Sequence, residues 1–193
     1  MSIKITTLVE HSVYGKGLQG EHGLSLLVDT GEHRLLFDTG ASDLFIRNAR
    51  ILGIDLKEVD FLVLSHGHRD HTGGLHHFLA VNDKAQVVCK RELFRPKFKD
   101  ERENGVMQPD ALDSTRFRFV DEVTELCRGV FVFPQLPVTD EEDTHFEHFF
   151  TWAEGRKQAD TFTDELALVL KQDAEVSVLS ACSHRGITNI IRA

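Results

Sequence analysis

Short apolar runs separated by polar turns characterise the first part of the chain. Residues 3–9 (IKITTLV), 23–29 (GLSLLVD) and 33–38 (HRLLFD) have the length and apolar content of β-strands. The Gly-containing loop between the second and third runs predicts a hairpin. In residues 41–52 (ASDLFIRNARIL), apolar side chains recur at intervals of three and four, which predicts a helix with one buried face.

The next apolar segments continue this alternation of strands and helices. Residues 60–65 (DFLVLS) are almost wholly apolar, as expected for a short strand that is covered on both faces. A helix is predicted to begin near Gly74 and to continue through Leu79, and residues 85–90 (AQVVCK) predict a further strand. This order of elements predicts an α/β fold.

The pattern weakens between residues 91 and 164, where strands are predicted only at 116–120 and 129–136. Loops of this length inside a compact domain are usually functional or mobile. Ten of the fourteen phenylalanines lie here, and we expect most of them to pack a local core and a few to reach a ligand. Strands return at 165–170 and 176–180. We therefore predict a single domain over 1–193 with a variable insertion at about 91–164.

The composition of the chain argues against some classes of binding partner. The chain of 193 residues carries a net charge of −9, which argues against a nucleic-acid or anionic-membrane partner. Its three cysteines form no CxxC pair, and no run approaches the roughly 18 apolar residues that a membrane span needs. These features predict a cytoplasmic protein, and they say little about a small-molecule substrate.

The strongest chemical signal is LSHGHRDHTGG at residues 64–74, directly after a predicted buried strand. In an extended backbone, residues two apart point to the same side, so His66 and His68 can offer imidazoles to one metal ion. Asp70 and His71 lie further along the loop and face a second position. Lone histidines are usually structural, but four potential ligands at this spacing favour a site for zinc or another divalent first-row metal.

The HxHxDH pattern resembles the signature of the metallo-β-lactamase-fold metal-dependent hydrolases. One branch of that superfamily contains the archaeal dihydropterin–ribofuranosylaminobenzene 5'-phosphate synthases and their bacterial relatives. Four further segments resemble that branch, so that the resemblance covers nearly the whole chain: EHGLSLLVDT (21–30), LLFDTGASDLFIRNARILGIDL (35–56), FTDELALVL (162–170) and ACSHRGITNII (181–191). The fold that this resemblance implies is an αββα sandwich.

The resemblance also implies roles for individual residues. His66, His68 and His184 are expected to bind a first metal ion, and Asp70 and His71 a second. The cofactor would be one or two zinc ions or another divalent first-row metal. A metal-bound hydroxide would be the nucleophile, and Asp70 would orient it as well as bind.

For other polar residues, the sequence gives weaker evidence of a role in the metal site. By the same resemblance, Asp38 would support the ligand loop through hydrogen bonds, although an acid at a strand-to-helix turn is common on its own. Glu21 and His22 are equally compatible with a pocket border and an exposed loop. Asp164 and Glu165 fit capping or surface positions at least as well as catalysis. Cys182 is expected to be a small buried residue at a strand end.

In the family that this chain resembles, strands, helices and a late histidine ligand follow the position of His184. The chain ends at Ala193, so the second half of the fold is expected to be absent. We therefore expect metal binding to be strongest at the three-histidine site. Uncovered strand edges pair readily. A homo-oligomer, a swapped element, a second chain or an engineered truncation would each account for the uncovered edge.

The leading functional hypothesis is a metal-dependent hydrolase or transferase. Its substrate would be a small molecule, with phosphorylated and pterin-like compounds among the candidates. The alternative is a non-catalytic remnant of the fold that binds a metal or a ligand. A nuclease is disfavoured because the chain has a net charge of −9 and no basic stripe.

Overall fold

The computed structural model describes residues 3–193, which contain fourteen β-strands and four α-helices. In chain order, the first elements are β1 (Lys4–Val9), β2 (Ser25–Asp29), β3 (Arg34–Phe37), α1 (Leu44–Ile51), β4 (Phe61–Val63), α2 (Arg69–Thr72), α3 (Leu75–Val81) and β5 (Gln86–Cys89). The remaining elements are β6 (Lys97–Lys99), β7 (Arg102–Glu103), β8 (Phe117–Phe119), β9 (Thr124–Cys127), β10 (Val130–Phe133), β11 (Phe149–Ala153), β12 (Arg156–Ala159), β13 (Ala167–Gln172), β14 (Glu175–Leu179) and α4 (Ile187–Arg192). The predicted α/β class is confirmed.

The chain forms two compact units. The first unit contains the residues up to Leu64, with His68–Val88 and Met107–Arg118. The second unit contains Ser65–Gly67, Cys89–Val106 and Phe119–Ala193. The prediction of a single domain with an insertion stays a prediction.

The first unit is built on a sheet with the strand order β1-β2-β3-β4-β5-β8. β2 and β3 pair antiparallel, which confirms the predicted hairpin. β4 lies parallel to β3 on one side and to β5 on the other, and places Leu62 beside Leu36 and Val87. All three side chains are fully buried, as predicted for an apolar strand that is covered on both faces.

Helix α1 confirms the central part of the helix predicted at 41–52. The side chains of Phe45 and Ala49 lie one turn apart and are fully buried, so the predicted apolar face is the packed one. The helix begins only at Leu44, because the turn before it is fixed by hydrogen bonds to the carboxylate of Glu21. This turn connects β3 to α1 and carries residues of the candidate site.

The second unit contains two antiparallel sheets, with strand orders β14-β13-β10-β9 and β12-β11-β6-β7. Their strands β10, β13 and β14 confirm the strands predicted at 129–136, 165–170 and 176–180. The sheet formed by β6, β7, β11 and β12 was not predicted. Its strands are short, and in β6 the inward position is taken by a lysine, so the sequence lacks the usual alternation of apolar and polar residues.

Strand β14 is the edge of its sheet, and its Val176 side chain is 60% exposed. Such an edge offers unpaired backbone groups to another chain. The expected oligomer or second chain stays a prediction. Within residues 3–193, no helix combines the length and the apolar character needed to cross a membrane.

Candidate metal centre

In the first unit, the part of the HxHxDH segment from His68 onward enters a short helix. His68 has extended backbone angles at the N-terminus of α2, and Asp70 and His71 lie within the helix. Nε2 of His71 is 3.5 Å from Oδ2 of Asp70, so the two residues predicted for a second metal are neighbours. Nδ1 of His71 is 2.7 Å from Oδ2 of Asp38. A carboxylate at Nδ1 favours the tautomer in which Nε2 carries the lone pair that a metal needs.

The Asp-Thr-Gly turn after β3 holds this helix in place. Asp38 has a positive φ of 59°, and its backbone N–H donates to the carbonyl of Val63 at 2.9 Å. Both the N–H and the hydroxyl of Thr39 donate to the carbonyl of His71. A Cβ on Gly73 would lie 2.3 Å from the carbonyl oxygen of Ala41, so this close approach requires glycine. The turn therefore fixes both the backbone and the side chain of His71.

Asp70 is a carboxylate in its charged form. Burial raises its pKa, but the hydrogen bond and charge of His71 and the charge of His68 outweigh burial, so the pKa of Asp70 is lowered. Its Oδ2 also lies 3.3 Å from Nε2 of His22, a largely exposed side chain that contacts His11 in turn. The predicted pocket residue His22 therefore lies beside a predicted metal ligand.

Glu21 has a different environment from its neighbour His22. Its Oε1 accepts hydrogen bonds from the N–H groups of Ala41 and Ser42, and its Oε2 accepts one from the Ser42 hydroxyl. These contacts are those of a structural carboxylate that holds the turn between β3 and α1. They leave a pocket role for Glu21 as a prediction only.

In the second unit, the fold brings His66 and His184 together although they lie far apart in sequence. Both are buried, and their ring centroids are 5.2 Å apart. Nδ1 of His66 lies 2.9 Å from the Ser65 hydroxyl, and Nδ1 of His184 lies 3.0 Å from the carbonyl oxygen of His145. The ring of Phe162 stacks on His184 at 3.8 Å with nearly parallel planes. Each imidazole is therefore oriented by neighbours at Nδ1 or across its face.

Two imidazoles of the second unit form part of a donor set for a metal ion. One ring nitrogen of His66 and one of His184 lie within 4.8 Å of each other. Imidazole nitrogens suit zinc and other first-row divalent ions, so these residues fit such a metal. Sγ of Cys182, in the same unit, lies within 4.8 Å of a ring nitrogen of His66. The prediction of a buried Cys182 is wrong, because its side chain is exposed.

Two acidic residues before β13 hold the loops that carry the histidines. The carboxylate of Asp164 accepts the N–H of Gly67 at 2.7 Å, and the carboxylate of Glu165 accepts the N–H groups of His184 and Arg185 at 2.8 Å. Burial raises the pKa of Glu165 to about 7, against the opposing effect of these hydrogen bonds. Both side chains are buried, so the surface alternative is wrong, whereas their hydrogen bonds to backbone N–H groups agree with the capping alternative. The feature of the sequence that could have indicated this role is the pair of adjacent acids directly before an apolar strand.

The comparison with known families agrees with this arrangement of residues. The family model described as the metallo-beta-lactamase superfamily matches residues 18–164. The chain belongs to the metallo-β-lactamase superfamily. This membership confirms the resemblance drawn from the HxHxDH segment, and the superfamily is one of metal-dependent proteins.

Relatives of the chain include an archaeal enzyme and a protein of known structure. The 7,8-dihydropterin-6-methyl-4-(beta-D-ribofuranosyl)-aminobenzene-5'-phosphate synthase of Methanocaldococcus jannaschii is 29% identical over 212 residues, covering 99% of this chain and 71% of that enzyme. Tm1679, described as a metal-dependent hydrolase of the beta-lactamase superfamily, is 33% identical with a TM-score of 0.83, covering 99% of this chain and 70% of Tm1679. The chain is therefore homologous to a pterin-related synthase.

More distant structures share only the fold. A quorum-quenching N-acyl homoserine lactone lactonase is 15% identical with a TM-score of 0.50, and the match covers 82% of this chain and 57% of the lactonase. Together with Tm1679, it confirms the metallo-β-lactamase fold that the sequence predicted.

Proposed function

We propose that the protein is a metal-dependent hydrolase or transferase that acts on a small molecule. The observation that carries this proposal is the pair of buried histidines in the second unit, His66 and His184, whose ring centroids are 5.2 Å apart. A non-catalytic protein has no evident need for two adjacent buried imidazoles together with an HxHxDH segment. The names of the relatives, a synthase and a metal-dependent hydrolase, support an enzyme.

Each candidate ligand has a proposed role at the metal centre. His66, His68 and His184 would hold a divalent ion, and Asp70 and His71 are the residues available to a second ion. When bound, such an ion supplies Lewis acidity and a water of lowered pKa. Asp70 stays charged because its pKa is lowered, so it can bind a metal or orient a reacting water by accepting a hydrogen bond from it.

An aromatic ring and an ammonium group beside His184 support a substrate that is both aromatic and anionic. The ring of Phe149 packs edge-on against His184 with centroids 5.0 Å apart, and Nζ of Lys99 lies 5.5 Å above Phe149. The two residues are cross-strand partners in β6 and β11. A phosphorylated or pterin-like compound, as in the name of the archaeal relative, has this chemistry.

The test is metal content and turnover of protein purified without a histidine tag. We expect at least one zinc or other divalent ion per chain by elemental analysis, and metal-dependent hydrolysis in a panel of phosphodiester, thioester, lactone and phosphorylated pterin substrates. His66→Ala and His184→Ala should lose both properties. His148→Ala, at an exposed histidine of the same unit, is the matched control and should retain them.

Absence of metal, even after zinc, manganese or iron is added, would contradict the proposal. Metal binding without turnover would instead favour the binding remnant, because a pure binder keeps its ligand when chemistry is absent.

A further inference from the structure

Lys97 is a buried charged residue that the proposed chemistry does not use. Its side chain is 2% exposed, and Nζ donates to Oδ2 of Asp160 at 2.7 Å and to Oδ1 of Asp164 at 2.6 Å. Burial lowers the pKa of Lys97, but the two carboxylates outweigh burial and raise it, so the lysine is charged. A buried ion pair is a weak source of stability, because desolvation offsets its attraction. The contribution of Lys97 therefore lies in the positions of the groups that it contacts rather than in stability.

One of its partners holds the peptide that joins two candidate ligands. The second oxygen of Asp164, Oδ2, accepts the N–H of Gly67 at 2.7 Å, and Gly67 lies between His66 and His68 in the sequence. On its other side, Gly67 is packed so closely that a Cβ would lie 2.3 Å from the carbonyl oxygen of Leu93. This peptide is therefore fixed by a hydrogen bond and by van der Waals contact at once.

The other partner acts on the third candidate ligand through an aromatic ring. Oδ1 of Asp160 accepts the N–H of Phe162 at 2.8 Å. Phe162 has a positive φ of 52°, a conformation that needs support from its surroundings in a residue with a side chain. Its ring stacks on His184 at 3.8 Å, and Nζ of Lys97 lies 5.5 Å from the same ring.

We propose that Lys97 is a positioning residue of the metal centre. Its ammonium fixes the carboxylates of Asp160 and Asp164. Through these it sets the peptide between His66 and His68 and the ring that lies against His184. The inference rests on the proposed function, because it assumes that these histidines bind a metal. It predicts that metal affinity and ligand geometry change when Lys97 loses its charge, although Lys97 touches no ligand atom itself.

The test is a titration of metal-free protein with Co²⁺, read by affinity and by the visible absorption spectrum of the bound ion. The variants are Lys97→Met, which keeps length and apolar volume, Asp164→Asn and Asp160→Asn. We expect Lys97→Met and Asp164→Asn to lower the Co²⁺ affinity about 10- to 100-fold, the range typical of outer-sphere changes, and to alter the spectrum. Asp160→Asn should have a smaller effect, because the contact between Asp164 and the Gly67 peptide remains in that variant.

The matched control is Lys90→Met. Lys90 is a half-buried lysine of the same unit whose Nζ donates to the carbonyl of Pro134 at 2.8 Å. It should leave the Co²⁺ affinity and spectrum unchanged, even where thermal unfolding shows a similar loss of stability. Asp164→Asn keeps the test decisive if Lys97→Met does not fold.

The outcomes separate the two proposals. Wild-type affinity and spectrum in both Lys97→Met and Asp164→Asn would overturn the positioning role alone. An equal loss of affinity in Lys90→Met would overturn it too, since the effect would then follow stability. Wild-type protein that binds no Co²⁺ would overturn the proposed function and this inference together.

Discussion

Nδ1 of His71 lies 2.7 Å from Oδ2 of Asp38, and neither side chain is more than 4% exposed. The two residues come from different elements, the turn after β3 and helix α2. A buried carboxylate at this distance fixes both the tautomer and the direction of an imidazole ring. The structure thus gives the aspartate of the Asp-Thr-Gly turn a definite partner, which the sequence alone described only as a supporting hydrogen bond.

Asp38→Asn should weaken metal binding at a site that uses His71. The neutral amide is a poorer acceptor for an imidazole N–H, so we expect a loss of about 10- to 100-fold in affinity for the more weakly bound ion. The measurement is zinc stoichiometry against a competing chelator. Asp60→Asn is the matched control, since Asp60 also faces a histidine ring, His33, at 3.3 Å in the same unit. Equal affinities in the two variants would contradict a role for Asp38 at the metal.

Glu21→Ala should destabilise the protein rather than impair catalysis directly. It removes the acceptor for two backbone N–H groups and one hydroxyl in the turn before α1. Leaving such groups without an acceptor costs about 1–3 kcal/mol. Urea unfolding should show this loss, with the exposed Glu32→Ala in a nearby turn as the control. A fall in kcat/KM at unchanged stability would instead make Glu21 a pocket residue.

Asn189, in the SHRGITN segment, should be important for stability. Its Oδ1 accepts from the backbone N–H groups of Thr139 and Asp140, and its Nδ2 donates to the carbonyls of Asp140 and Arg185. The side chain is fully buried, so Asn189→Ala leaves several polar groups without partners. We expect a loss of about 3 kcal/mol in the free energy of unfolding, measured in urea.

Two further variants sharpen this prediction. Asn189→Asp keeps Oδ1 but places a charged oxygen against the carbonyl oxygens of Asp140 and Arg185, so at neutral pH it should be at least as destabilising as the alanine variant. Arg192→Ala lies on the exposed end of the same helix and should change little. If Asn189→Ala were as stable as Arg192→Ala, the hydrogen bonds would not hold the loop at residues 139–140.

Local patterns predicted the parts of the fold that depend on near neighbours. The apolar run before His66 identified β4, and the spacing of Phe45 and Ala49 identified α1. The HxHxDH segment identified the family, because its signal is contained within six residues. The predictions agree best with the structure where one short segment determines both the backbone conformation and the functional side chains.

The residues that sequence reasoning missed depend on distant partners. Acids and lysines are usually exposed, so the sequence alone does not identify Lys97 and Asp164 as a buried pair. They are 67 positions apart in the sequence, and no pattern within a single strand or helix predicts that they form an ion pair. The strand that carries Lys97 was missed for the same reason, since a charged residue occupies its inward position.

Cys89 and Cys182 should differ sharply in reactivity. Burial raises the pKa of the Cys89 thiol to about 12, so it remains protonated and shielded in the native protein, whereas Cys182 is exposed. Because the pKa of Cys89 is raised on folding, its contribution to stability is lost only in strongly alkaline solution. At pH 8 a thiol reagent should modify Cys182 quickly and Cys89 only after unfolding. Cys182→Ser should remove the fast phase.

The same assay reports on the metal centre. Sγ of Cys182 lies within 4.8 Å of a ring nitrogen of His66, so zinc bound at His66 should slow the modification of Cys182. His66→Ala should abolish this protection, and the exposed His148→Ala should retain it. Unchanged modification of Cys182 in the presence of zinc would show that the thiol lies outside the coordination sphere. Rapid modification of Cys89 in native protein would contradict its burial.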